Sequence, residues 1–159
     1  MNRNTTYVYL GIILFVLYIS QEVFSLKINF LEDLQNIESY RRWSGLLLFL
    51  VILYQWVMTF IRIKSSNPVV IENFYKIHTW LGALTPLIFY IHSTKPGFAY
   101  LLLLTLAFYA NFLLGMFNLD FIKSKVSWYF QTWMIMHVSL SVLITATAFY
   151  HVWIVFYYN

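Results

Sequence analysis

Four histidines are the residues of this 159-residue chain with the clearest capacity for metal chemistry. They form two pairs with one spacing, because His78 and His92 are fourteen residues apart, as are His137 and His151. Fourteen residues make nearly four turns of an α-helix, so both members of a pair lie on one helix face, about 21 Å apart along the axis. This spacing places one imidazole near each side of a bilayer core about 30 Å thick.

One apolar segment separates the two histidine-bearing segments, which therefore run parallel if that segment crosses the membrane once. His78 and His137 then share one depth, and His92 and His151 share the other. A haem iron takes an axial ligand on each face of its ring, and histidine is a common choice. The pattern predicts two b-type haems between the third and fifth helices. His78 and His137 would bind the inner haem iron, and His92 and His151 the outer one.

Small residues follow the first histidine of each pair at helical spacing. Gly82 lies four residues after His78, and Ser141 lies four residues after His137. A porphyrin requires helix backbones to approach without bulky side chains between them. Gly82 and Ser141 are therefore predicted to contact the haem together with the histidines. No catalytic residue is predicted.

Other roles for the histidines remain open. A histidine inside a membrane helix can also be a hydrogen-bonded packing residue or part of a proton path. A zinc or copper ion cannot be shared by two histidines of one helix that are about 21 Å apart. A haem-free membrane transport or structural protein is the alternative of a different class.

The composition is that of a membrane protein. Hydrophobic residues make up 61% of the chain and charged residues 10%, which is too little polar surface to cover a globule in water. Cysteine is absent, which excludes disulfides, thiolate-bound zinc or iron–sulfur clusters and c-type haem attachment. The net charge of +4 is not clustered on one polar face, so we do not expect nucleic acid as a partner.

Five apolar segments predict an all-α integral membrane bundle in a single domain, residues 1–159. The predicted helices cover about 7–25, 43–61, 74–93, 98–117 and 128–157. Each is close to or longer than the roughly 20 residues that cross the hydrocarbon layer as a helix. The first is expected to be a retained anchor and not a cleaved signal peptide. The spacing of Phe30, Leu31 and Leu34 predicts a short amphipathic helix at the interface.

The basic residues give a weak preference for orientation. With five crossings, the side that holds the N-terminus carries six basic residues and the opposite side carries four, which favours a cytoplasmic N-terminus in a plasma or inner membrane. The six are Arg3, Arg62, Lys64, Lys76, Lys123 and Lys125, and the four are Lys27, Arg41, Arg42 and Lys95. Four of these, Arg41, Arg42, Lys76 and Lys95, are equally suited to pair with haem propionates or to anchor the helices.

These motifs resemble the ferric reductase-like transmembrane domain family. That family includes ferric reductases, NADPH oxidases and the haem-bearing membrane subunit of a bacterial periplasmic methionine-sulfoxide reductase. The resemblance covers roughly residues 41–151 and implies bis-histidine ligation with electron flow from the cytoplasmic face outward. It is carried by His78-x-x-Leu81-Gly82 followed by His92, by His137 followed by His151, and by Ser44-Gly45.

The chain departs from the family pattern in several ways. Five helices are predicted where family members often have six, and no arginine directly follows His78. The five glycines form no G-x-G-x-x-G motif, so neither a flavin nor an NAD(P) site is expected here. The expected function is transmembrane electron transfer as an oxidoreductase or electron-transfer subunit. The alternative is a quinol-oxidising haem anchor subunit of a multi-protein reductase. The expected partners are membrane lipid and either a redox donor protein or quinol.

Overall fold

The structure is a computed structural model that describes residues 6–26, 28–118, 122 and 127–158. Every regular element in these ranges is helical, which confirms the predicted all-α class. Arg3, Lys27, Lys123 and Lys125, on which the predicted orientation depends, lie outside the described residues. Most of the predicted connection 120–125 lies outside them as well.

Within the described residues, seven helices follow one another. They are α1 (Thr6–Val23), α2 (Asn29–Asn36), α3 (Glu38–Gln55), α4 (Val57–Lys64), α5 (Pro68–His92), α6 (Tyr100–Met116) and α7 (Ser127–Tyr157). The short helix predicted before the second apolar segment is present as α2, and none of its residues is buried. The four histidines lie on α5 and α7, as the apolar segments predicted.

In the part of the chain that the structure describes, three helical stretches are long and apolar enough to cross a membrane. They are Thr6–Val23, Glu38–Lys64 and Trp128–Tyr157. Helix α6 is apolar but has only 17 residues. Helix α5 is long enough, with 25 residues, but it is more polar and contains two histidines. Large apolar side chains such as Leu17, Leu50 and Phe149 are more than half exposed on the outside. Three long apolar helices with exposed apolar surface are compatible with a membrane protein.

The second predicted helix is divided at Trp56 into α3 and α4. The Trp56 amide bonds to the Leu53 carbonyl at 3.1 Å, three residues back, so the helix tightens by one residue there. The Trp56 indole nitrogen donates to Thr145 Oγ1 of α7 at 2.9 Å. A tertiary hydrogen bond therefore accompanies a break that no glycine or proline marks in the sequence.

Helix α5 has local signals at its start and in its interior. The Asn67 side chain accepts a hydrogen bond from the Val69 amide at 3.0 Å, and proline occupies the next position, where its missing N–H costs nothing. Pro86 inside the helix leaves the Gly82 carbonyl without its usual amide donor. The Thr85 hydroxyl donates to that carbonyl at 2.7 Å, which satisfies it.

Helix α5 lies at the centre of the packing. It packs against α1, α3, α4 and α6, and α7 packs against α3 and α6. Gly11 of α1 sits at the closest approach, since a Cβ there would lie 2.9 Å from Met116 Sδ and 3.3 Å from Ala83 Cα. Helix α1 can approach α5 and α6 this closely only because position 11 lacks a side chain.

The substitution Gly11→Val should lower the free energy of unfolding by about 1–3 kcal/mol, because the added carbons overpack a contact with the main chain of α5. The measurement is SDS-driven unfolding of the protein in detergent micelles, followed by circular dichroism. Ala110→Val is the matched control, since it adds the same residue at an exposed position of α6. Equal stability of the two variants would contradict the packing role of Gly11.

Candidate functional site

The side chains of His78 and His137 face each other between α5 and α7. Their ring centres are 6.3 Å apart, and the ring planes meet at 79°. Over the described residues, α5 and α7 are not one of the closely packed helix pairs, whereas α3 and α6 each pack against both. The two imidazoles therefore meet across a space that the neighbouring helices keep between α5 and α7.

Two contacts fix the ring of His137. Trp133 stacks on it with ring centres 5.6 Å apart and planes within 6° of parallel. The Trp133 indole nitrogen donates to the Leu114 carbonyl of α6 at 2.6 Å, which holds the indole in place. A Cβ added to Gly115 would lie 3.4 Å from His137 Cε1, so the glycine lets the ring lie close to the backbone of α6. Gly115 was not among the predicted site residues, because no spacing rule connects it to a histidine on another helix.

Gly82 and Ser141 line a cavity of about 270 Å³ that His78 and His137 also line. A Cβ added to Gly82 would meet only Gln55 Nε2, at an ordinary 3.6 Å, so this position is open toward the cavity. Ser141 Oγ accepts from Asn111 Nδ2 at 3.0 Å and donates to the His137 carbonyl at 2.8 Å. Ser141 therefore lies beside the His137 backbone and links α7 to α6.

Four of the eight buried side-chain polar atoms without a partner among the described residues belong to residues that line this cavity. Among the described residues, His78 Nδ1, His137 Nδ1, Gln55 Oε1 and Asn111 Oδ1 are buried without a hydrogen bond. Gln55 and Asn111 were not among the predicted site residues. Their sequence signal is a single amide side chain inside an otherwise apolar segment. Buried polar groups left without partners in a native protein commonly mark a missing water, ion or ligand.

His92 and His151 line a second, smaller cavity of about 120 Å³. Here each imidazole has a hydroxyl beside it. Ser44 Oγ lies 3.2 Å from His92 Nδ1, and the Tyr100 hydroxyl lies 3.2 Å from His151 Nδ1. Gly45 touches the His92 ring so closely that a Cβ would lie 2.8 Å from Cε1. The Ser44-Gly45 pair thus contacts a histidine directly.

The two cavities share part of their walls. Ile52 and Phe108 line both of them. Phe108 is buried and stacks on Phe89 of α5 with ring centres 5.2 Å apart. An aromatic ring therefore lies between the two histidine levels.

The basic residues divide between local ion pairs and the cavity walls. Arg42 pairs with Glu38, and Lys76 pairs with Glu72 at 3.1 Å, each one helical turn away. Lys95 lines the second cavity, with its ammonium nitrogen 4.0 Å from Glu32. Arg62, which was not proposed as a propionate partner, is exposed and lines the first cavity.

The donor set suits a group that needs only two protein ligands. Within the described ranges, no group of three or more His, Asp or Glu side chains is placed to hold a metal ion. A structural zinc site takes four ligands and a catalytic one usually three, whereas a porphyrin supplies four of the iron's ligands itself. No family model, curated protein or solved structure matches this chain.

Proposed function

We propose that this chain is an integral membrane cytochrome that binds two b-type haems and transfers electrons across the bilayer. The His78–His137 pair would hold one haem, and the His92–His151 pair would hold the other. The observation that carries the proposal is the placement of the His78 and His137 rings, opposed across the space between α5 and α7 with centres 6.3 Å apart.

That distance is the one that a shared iron requires. An imidazole nitrogen lies about 2 Å from the metal that it binds and roughly 1 Å from its own ring centre, so two rings on opposite faces of an iron have centres about 6 Å apart. Directly packed aromatic rings also lie about 4.5–7 Å apart, so the distance is compatible with a shared iron but does not by itself distinguish it from packing. The buried and unpartnered Nδ1 atoms of both rings favour a shared iron, because packing histidines are normally hydrogen-bonded.

The helices around the pair suit a flat cofactor. Helices α3 and α6 pack on both α5 and α7 and act as spacers. Gly82, Gly115 and Ser141 keep the walls of the space free of bulk. Arg62 at the first cavity and Lys95 at the second are placed to pair with anionic propionates.

The proposal includes five membrane crossings. The stretches Thr6–Val23, Glu38–Lys64 and Trp128–Tyr157 are apolar enough to face lipid. Helix α5 packs against α1, α3, α4 and α6, and its Thr79 and Thr85 are buried, as polar groups inside a membrane are when protein surrounds them. The 17 residues of α6 lie at the lower limit of about 17 for a spanning helix.

Electron transfer is the chemistry that this ligand set supports. Bound haem supplies a one-electron couple, and two imidazole ligands leave the iron no open position for a substrate. The histidines of one helix are about 21 Å apart along its axis, so the two sites lie near opposite sides of the bilayer core. Phe108, which lines both cavities, lies on the route between them.

Paired substitutions test which histidines share an iron. The variant His78→Ala/His137→Ala should keep one haem per chain, because the second pair is intact. The variant His78→Ala/His92→Ala removes one ligand from each pair and should lose both haems. The measurement is the reduced pyridine haemochrome spectrum per chain, with Ile77→Ala, an exposed neighbour of His78, as the control that keeps two.

Two outcomes of that experiment would count against the proposal. Equal haem content in the two double variants would contradict the pairing. A purified wild-type protein without a reducible b-type spectrum would remove the function altogether and favour a haem-free transport or structural protein.

The two sites should differ in how readily they load. Both cavities must widen to admit a haem, but the second, about 120 Å³, is less than half as large as the first, about 270 Å³, so more side-chain movement is needed there. Haem added to haem-free protein should therefore bind in two phases, the tighter one at His78 and His137. Spectral titration should show the tight phase missing in His78→Ala and the weak phase missing in His92→Ala. The reverse assignment would show that cavity size does not govern loading.

A further inference from the structure

We propose that Ser44 is a positioning residue that holds His92 as its Nδ1–H tautomer, turns Nε2 toward the second cavity and lowers the redox potential of the haem bound there. Only the part of this inference that concerns the redox potential rests on the proposed function. The tautomer of His92 is a property of the protein chain without haem.

The direction of the hydrogen bonds at Ser44 determines the tautomer. A serine hydroxyl has one hydrogen to donate and two lone pairs. Ser44 Oγ lies 2.7 Å from the Tyr40 carbonyl, one helical turn back, which is the usual bond of a serine inside a helix. A carbonyl only accepts, so the serine hydrogen is committed to it.

The side of Ser44 that faces His92 therefore offers only a lone pair. His92 Nδ1, 3.2 Å from Ser44 Oγ, must be the donor of that hydrogen bond and must carry the proton. In a neutral imidazole the other nitrogen is then unprotonated. Nε2 of His92 is left with the lone pair that metal ligation needs.

The contact is built by the surrounding helices. The His92 ring lies against Gly45, where a Cβ would come within 2.8 Å, so the ring can reach Ser44 only beside a glycine. Gln35 Nε2 of α2 donates to the Tyr90 carbonyl at 2.9 Å, and Tyr40 donates to the Ile91 carbonyl at 3.1 Å. These two carbonyls belong to the last turn of α5, where the helix ends before it can supply amide donors for them. Helix α2 and the first turns of α3 thus fix the end of α5 that carries His92.

The two histidine levels differ in this respect. Among the described residues, Nδ1 of His78 and of His137 has no hydrogen-bond partner, whereas Nδ1 of His92 has Ser44. A hydrogen bond from the outer N–H of a metal-bound histidine makes the imidazole a stronger electron donor and stabilises the oxidised iron. The haem at the His92–His151 level should therefore have the lower potential of the two.

The first measurement uses the full-length chain without haem, with ¹⁵N-labelled histidine and NMR in detergent micelles. His92 in the wild-type protein should be the Nδ1–H tautomer, and Ser44→Ala should convert it to a mixture. Ser44→Thr should restore the wild-type tautomer, because threonine makes the same bond to the carbonyl one turn back. An Nε2–H tautomer at His92 in the wild-type protein would overturn the proposal, whether or not the chain binds haem.

The second measurement is a redox titration of the haem-loaded chain. Ser44→Ala should shift one of the two one-electron steps to higher potential and leave the other unchanged, and Ser44→Thr should return it. Thr147→Ala is the matched control, since its hydroxyl also bonds a carbonyl of its own helix, that of Leu143 at 2.8 Å, and has no hydrogen bond to a histidine among the described residues. A shift of both steps, or of neither, would overturn the redox part. A chain that binds no haem would end the proposed function and leave the tautomer result to decide the role of Ser44.

Discussion

The distance between α5 and α7 is the constraint on which the rest of the structure depends. These helices carry the four histidines, yet they meet through the imidazoles of His78 and His137 and not through close backbone packing. Such a gap collapses unless other helices hold it open, because apolar surfaces and dispersion forces favour close packing. Helices α3 and α6 each pack against both α5 and α7, and Gly45 and Gly115 let these bridging helices lie directly against histidine rings.

This arrangement leaves polar groups buried inside an otherwise apolar bundle. Some of its groups are satisfied within the protein, as where Thr85 bonds the carbonyl that Pro86 leaves free. Others, including the amide oxygens of Gln55 and Asn111, have no partner among the described residues. Unsatisfied groups of this kind are costly where the dielectric constant is low. Gln55 and Asn111 line the cavity of His78 and His137, whereas the histidines of the second cavity lie beside the hydroxyls of Ser44 and Tyr100.

Most of the fold could be predicted because its signals are local. Long apolar runs predict helices whatever surrounds them, and α7, predicted as 128–157, is observed as Ser127–Tyr157. The short helix α2 follows from the spacing of its apolar residues in the same way. The break at Trp56 could not be predicted, because no residue there is a helix breaker and the indole bonds to Thr145, 89 residues further along the chain.

The sequence by itself determined that four histidines lie on two helices at one repeated spacing, because helical geometry converts a residue interval into a distance along an axis. Only the tertiary structure decided how far apart the rings of different helices lie and which neighbours touch them. Gly45 beside His92 and Gly115 beside His137 have no meaning in the sequence until α3 and α6 are placed against the rings. Contacts between helices depend on how each helix is rotated about its axis and on how far apart the helices lie, and no spacing within one helix encodes either quantity. A hydrogen bond such as that between Ser44 and His92 forms only when the rotation and the separation are both fixed.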